Sequence, residues 1–242
     1  VLRQNYNREA KSLLVQISNY LHAKQMKRAK KSMKRMKILL GRVVRDIERK
    51  IAGNIELEGI FASELKMAHH LHSRQKGDKK KLYSLHEPQV DCISKAKQPY
   101  EFGCKVALSL THQKGASIIT SCQALNGNPY DGHTLTTSLA TSARVSGTKT
   151  KEAYVDQGYK GHKVEDCTVY ISGQRKGTTA KVRKNIKRRQ AIEPHIGHMK
   201  QKVKLGLCRL KGIVGDQINA ILAAAAYNTK SQIYYYFVKL RT

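Results

Sequence analysis

Between residues 26 and 51 the apolar side chains fall at Met26, Ala29, Met33, Met36, Leu40, Val43, Ile47 and Ile51. Steps of three and four lay them along one stripe of an α-helix, close to a heptad. A strand would need a period of two. The other faces carry Lys and Arg. Continued toward the amino end, the pattern predicts one long helix over 1–51. Gly53-Asn54 is a turn signal. A second helix is predicted over 55–75, with Leu57, Phe61, Leu65, Ala68 and Leu71 on one face. The pair makes a helical hairpin with a basic exterior. Such an exterior either grips a DNA backbone, with Lys27, Arg28 and Lys31 among the contacts, or is a solvated coiled coil. The excess is one-signed rather than alternating, which points to DNA. His69 and His72 are one turn apart and could hold a metal, but no third ligand is evident; surface histidines at a helix end are the other reading.

After a Lys-rich linker at 75–81 the period becomes strand-like, so the chain divides into a basic hairpin at 1–81 and an α/β domain at 82–242. Residues 82–93 alternate weakly. Residues 100–110 and 116–124 are rich in β-formers, with a turn at 113–115 between them. Residues 126–133 form a loop, and 134–146 a helix of weak propensity. A short strand at 153–156 ends on Asp156 and runs into Gly158. An acid released from a strand end into a glycine turn stands where open α/β sheets hold ligands; an Asp there equally well caps the turn. Another strand is expected at 168–172, a basic loop at 173–179, and a loop at 206–215. Asp216 is expected as the N-cap of a last helix over 217–240. Tyr234, Tyr235, Tyr236 and Phe237 serve core packing or base stacking.

Residues 174–204 hold eleven Lys or Arg and a single acid, Glu193. Arg189, Glu193 and Lys200 are four and seven apart, so a helix starting near Arg189 would present cation, anion, cation on one face. Pro194 is tolerated only in its first turn or at a kink. A carboxylate for a divalent metal and flanking cations for phosphates is what a metal-bound phosphodiester requires; an ordinary solvated ion pair has the same spacing. Asp156 and Glu193 are a plausible pair of hard oxygen ligands for Mg²⁺ or Mn²⁺. A third carboxylate is wanted. Asp131, Asp91, Glu87 and Glu101 are available, but none ends a strand before a glycine turn. His195 and His198 are metal ligands or, on the other reading, hydrogen-bond or contact phosphate.

The net charge of +29 over 242 residues opposes compaction and calls for a polyanionic partner, with nucleic acid first and an anionic membrane surface second. No run of about 18 apolar residues is present to span a bilayer. Five scattered cysteines without a Cys-x-x-Cys argue against a zinc ribbon or a disulfide framework and for a reducing cytosol; with a DNA partner, the expected setting there is nucleoid-associated.

Several stretches in order resemble bacterial insertion-sequence transposases of the DDE class. They are Tyr83-Ser-Leu-His-Glu-Pro88 with Cys92-Ile-Ser-Lys95, Tyr100-Glu-Phe-Gly103, and Gly127-Asn-Pro-Tyr-Asp-Gly-His-Thr-Leu135. Further on are Val155-Asp-Gln-Gly-Tyr-Lys-Gly161 and Arg188-Arg-Gln-Ala-Ile-Glu-Pro-His-Ile-Gly-His-Met-Lys200. Leu210-Lys-Gly212, Gly215-Asp216 and Ile218-Asn219 follow. Leu2-Arg-Gln-Asn-Tyr6 and Arg45-Asp-Ile-Glu-Arg-Lys50 resemble the family's helical insertion.

The resemblance implies a ribonuclease-H-like mixed sheet flanked by helices, with the hairpin inserted in it. Asp156 and Glu193 would be catalytic and hold the metal. Arg189 and Lys200, with Lys187 and Arg188 beside them, would meet DNA at the ends of a mobile element. Ile186 stands where a related signature has Tyr. The family's first catalytic aspartate lies on a strand before the insertion, and the chain opens at Val1 inside it. The expectation is a partial transposase lacking that strand, binding DNA without strand transfer, and compatible with a homo-oligomer. The rival is a non-catalytic basic nucleic-acid-binding protein.

Overall fold

The computed structural model describes residues 4–75, 77–79, 81–93, 100–113 and 117–240. The chain divides into two compact units, residues 1–85 and 86–242.

In the first unit the long helix expected over 1–51 is two helices, α1 (Asn7–His22) and α2 (Met26–Ile51). The break is at Lys24, whose φ of 55° lies in the left-handed region that stops a helix. The chain therefore folds back, and α1 packs on α2 through Leu13 and Ile17. Glu9 pairs with Arg35 at 2.7 Å across this contact. Helix α3 (Ile55–Ser73) packs against α2 as well. Because α2 serves two neighbours, its buried residues, Ala29, Ser32, Leu39, Gly41, Val44 and Ile51, do not follow the single heptad stripe; Met26 and Met33 are exposed. Asn54 caps α3 by accepting from the Leu57 N–H at 3.1 Å. A Cβ on Gly41 would lie 2.5 Å from His72 Nε2, so this glycine permits the close approach of α2 and α3. His69 faces Glu48 at 2.5 Å rather than a metal cluster.

The second unit is mixed α/β. Strands β1 (Asp91–Cys92) and β2 (Phe102–Gly103) pair antiparallel, as do β3 (Lys105–Leu110) and β4 (Ile119–Leu125). Strands β5 (Glu152–Val155) and β6 (Thr168–Ile171) pair parallel. Among the described residues these are three separate two-stranded ladders. The turn expected at 113–115 lies largely outside the described residues. Helix α4 (Asp131–Ser146) packs on β3 and β4, and α7 (Gly212–Lys239) packs on β4. The core gathers Ile119, Cys122, Met199, Ala220, Ala223 and Ala224. Alanines on α7 let helix and strand approach closely.

Helix α7 also closes the outer edge of β4. The Asn228 amide accepts from the Ile119 N–H at 2.8 Å and donates to the Ile119 carbonyl at 2.9 Å. Gln217 does the same for the Ala124 N–H and the Cys122 carbonyl. An edge strand that would otherwise leave its ladder groups unpaired is thus satisfied by amide side chains.

Three sequence expectations are corrected here. Asp216 is not the N-cap of the last helix, which begins four residues earlier at Gly212. The Gly212 N–H donates instead to Glu87 Oε2 at 2.9 Å, an acceptor 125 residues away in the chain. Helix α5 (Ala180–Arg188) was not expected; it starts on Thr179, whose side chain accepts from the Val182 N–H. Tyr234, Tyr236 and Phe237 are exposed rather than packed in the core.

Candidate functional site

Strand β5 delivers Asp156 to its carboxyl end, where the residue caps the turn that follows. Asp156 Oδ1 accepts from the Gly158 N–H at 2.8 Å and caps the 3₁₀ turn Gln157–Tyr159. The residue remains exposed at the end of a parallel pair.

A second acid stands beside it. Asp131 is the first residue of α4, where a carboxylate is favoured by the helix dipole. A Cβ built on Gly158 would lie 2.5 Å from Asp131 Oδ2 and 3.0 Å from Asp156 Oδ1, so the two carboxylates flank one glycine. Lys105 Nζ, at the start of β3, pairs with Asp131 and donates to the Pro129 carbonyl at 3.1 Å. The Tyr130 hydroxyl donates to the Lys160 carbonyl at 2.7 Å, tying the start of α4 to the turn after β5. Tyr159 sits in the same place. Burial raises its phenol pKa, and the charges of Asp131 and Asp156 raise it further. Asp131 was passed over in the sequence because it ends no strand. The signal that would have found it is an acid following Asn-Pro-Tyr, where a helix begins.

Glu193 lies in the first turn of α6 (Ile192–Lys202), and Pro194 is accommodated in that same turn. Arg189, Glu193 and Lys200 make no ion pair with one another among the described residues. Arg189 belongs to a separate 3₁₀ turn, Arg189–Ala191. Among the described residues Glu193 makes no ion pair, and the buried Arg189 Nε has no hydrogen-bond partner. Lys200 lies 3.8 Å from Glu101 instead. Lys187 and Arg188 form the last turn of α5, with Lys187 exposed. His195 faces the Tyr227 hydroxyl, and burial holds its pKa below the usual value, with His198 adding to the effect.

Among the described residues no three His, Cys, Asp or Glu side chains converge as a metal-binding group. The oxygen donors are of the type that Mg²⁺ or Mn²⁺ takes. Their arrangement falls short: Lys105 occupies Asp131, one oxygen of Asp156 holds the turn, and Glu193 does not join them. In the first unit Lys27, Arg28 and Lys31 are exposed on the first turns of α2, and Arg28 donates to Gln25 Oε1 at 3.0 Å. No helix among the described residues is long and apolar enough to cross a membrane. Compared with known protein families, with curated proteins and with solved structures, the chain finds no match.

Proposed function

We propose that this chain binds DNA, and that it is built on the plan of a transposase catalytic domain whose parental activity is metal-dependent cleavage and joining of phosphodiesters. The observation that carries the binding is the charge of α2. Its 26 residues hold eleven Lys or Arg against two acids, and Lys27 and Lys31 have no ion-pair partner among the described residues. A helix so strongly of one sign, with lysines in its first turns that make no ion pair among the described residues, is a footprint for phosphates. The ribonuclease-H-like reading is supported by the order of the sequence motifs and by Asp156 at the end of a parallel pair. On that reading Asp156 and Glu193 are the acidic residues of the parental site, and DNA at the ends of a mobile element is the partner.

Among the described residues no three acids converge as a metal-binding group. On this proposal the chain by itself binds DNA without strand transfer, and a non-catalytic basic nucleic-acid-binding protein is the rival reading. Fluorescence anisotropy with a short duplex tests the binding. Affinity should fall linearly with salt on logarithmic axes. With Mg²⁺ or Mn²⁺ added, a supercoiled plasmid should stay uncut. Nicking that disappears in Asp156→Asn and Glu193→Gln would restore the catalytic reading; absence of any salt-sensitive binding would remove the proposal altogether.

A further inference from the structure

The first unit contains a cleft of about 760 Å³ where the start of α1 meets the carboxyl-terminal half of α2. Arg42, Arg45 and Arg49 project from α2 into it, with Gln4 and Tyr6 opposite. Two acids also line it, but both are engaged. Asp46 pairs with Arg49 at 3.4 Å and Lys50 at 3.2 Å, and Glu48 faces His69. Arg42 and Arg45 have no carboxylate partner among the described residues. One turn separates them on the helix, so their guanidinium groups share a side of α2. A planar guanidinium is suited to two hydrogen bonds to one phosphate. Two arginines held side by side in a concave site can close on one run of phosphates.

We propose that this cleft is a phosphate-binding subsite that takes the phosphodiester backbone of nucleic acid through Arg42 and Arg45. This rests on the reading of the chain as a DNA binder and extends it to the far end of α2. Lys27 and Arg45 are 18 residues apart, so at 1.5 Å per residue the helix reaches about 27 Å between them. Nucleic acid lying along α2 from Lys27 meets the cleft; a free phosphate ion would need no such reach.

The test uses the full chain, a random-sequence duplex, inorganic phosphate and phosphatidylserine vesicles. In Arg42→Gln/Arg45→Gln the log–log salt slope of DNA binding should drop by about 1.8, the share of two phosphates at about 0.9 each. Arg42→Lys/Arg45→Lys, which keeps the charge, should retain most of the slope. In the unaltered protein, DNA should protect Arg42 and Arg45 from phenylglyoxal at concentrations of inorganic phosphate that do not. This second measurement decides the matter if the double glutamine variant does not fold. An unchanged slope, no protection by DNA, protection by phosphate alone, or protection by vesicles in place of DNA overturns the subsite. If the unaltered protein binds no DNA, the underlying binding proposal has failed instead, and the two failures are told apart.

Discussion

One amide side chain does the work of a neighbouring strand at the edge of β4. Asn228 meets both backbone groups of Ile119, and Ile119 is itself buried. Replacing Asn228 by Leu keeps the volume and leaves a buried N–H and C=O unpaired. Each such group costs about 1–3 kcal/mol, so Asn228→Leu should lower unfolding stability by about 2–4 kcal/mol in urea melts. A loss no larger than that of an exposed substitution such as Thr229→Val would mean that water already serves this edge. The same scale explains why Asp131 was not legible. Its sequence neighbours describe a loop and a helix start, whereas its importance comes from Gly158, 27 positions away, which allows Asp156 to come alongside. Nothing local in either stretch records that proximity.

Helices in this chain are ended and capped by residues the sequence does not place beside them. The stop at Lys24 lies in a stretch whose composition reads as continuous helix, because the left-handed turn is set by α1 docking on α2 rather than by a glycine or proline. The start of α7 depends on Glu87. Its pKa is held down first by the Gly212 N–H and then by Gln89. Its unfolded value is the ordinary one near 4.5, and the folded value is lower. The stabilisation is therefore complete above the unfolded value and is lost as pH falls through the folded one. His195 has the same sign in a higher window. Its folded pKa lies below 6.5, so the neutral ring is favoured in the fold and stability declines as pH drops below about that value. Melting temperature should thus fall in two stages on acidification. Glu87→Gln should flatten the lower stage and His195→Phe the upper one. A melting curve with the same pH profile in both variants would show that neither group governs it.

For the molecule as a whole, charge sets two opposite responses to salt. With 46 Lys and Arg against 17 Asp and Glu, like charges repel throughout the folded chain. Added salt screens this, the Debye length falling to about 8 Å at physiological ionic strength. Raising NaCl from about 50 to 200 mM should therefore raise the melting temperature while DNA affinity falls steeply. A melting temperature that declines over that range would mean that ion pairs such as Glu9–Arg35, rather than net repulsion, dominate the charge balance.

The sequence by itself determined the helical start, the shift to an α/β region, the strand running into Asp156 and the one-signed charge. Each is written in a local period or in a sum of charges, and neither depends on what folds against what. Only the tertiary structure decided that Asp131 joins Asp156, that Lys200 meets Glu101, and that Arg42 and Arg45 line a cleft. Those facts depend on contacts between segments apart in the chain, which no local period records.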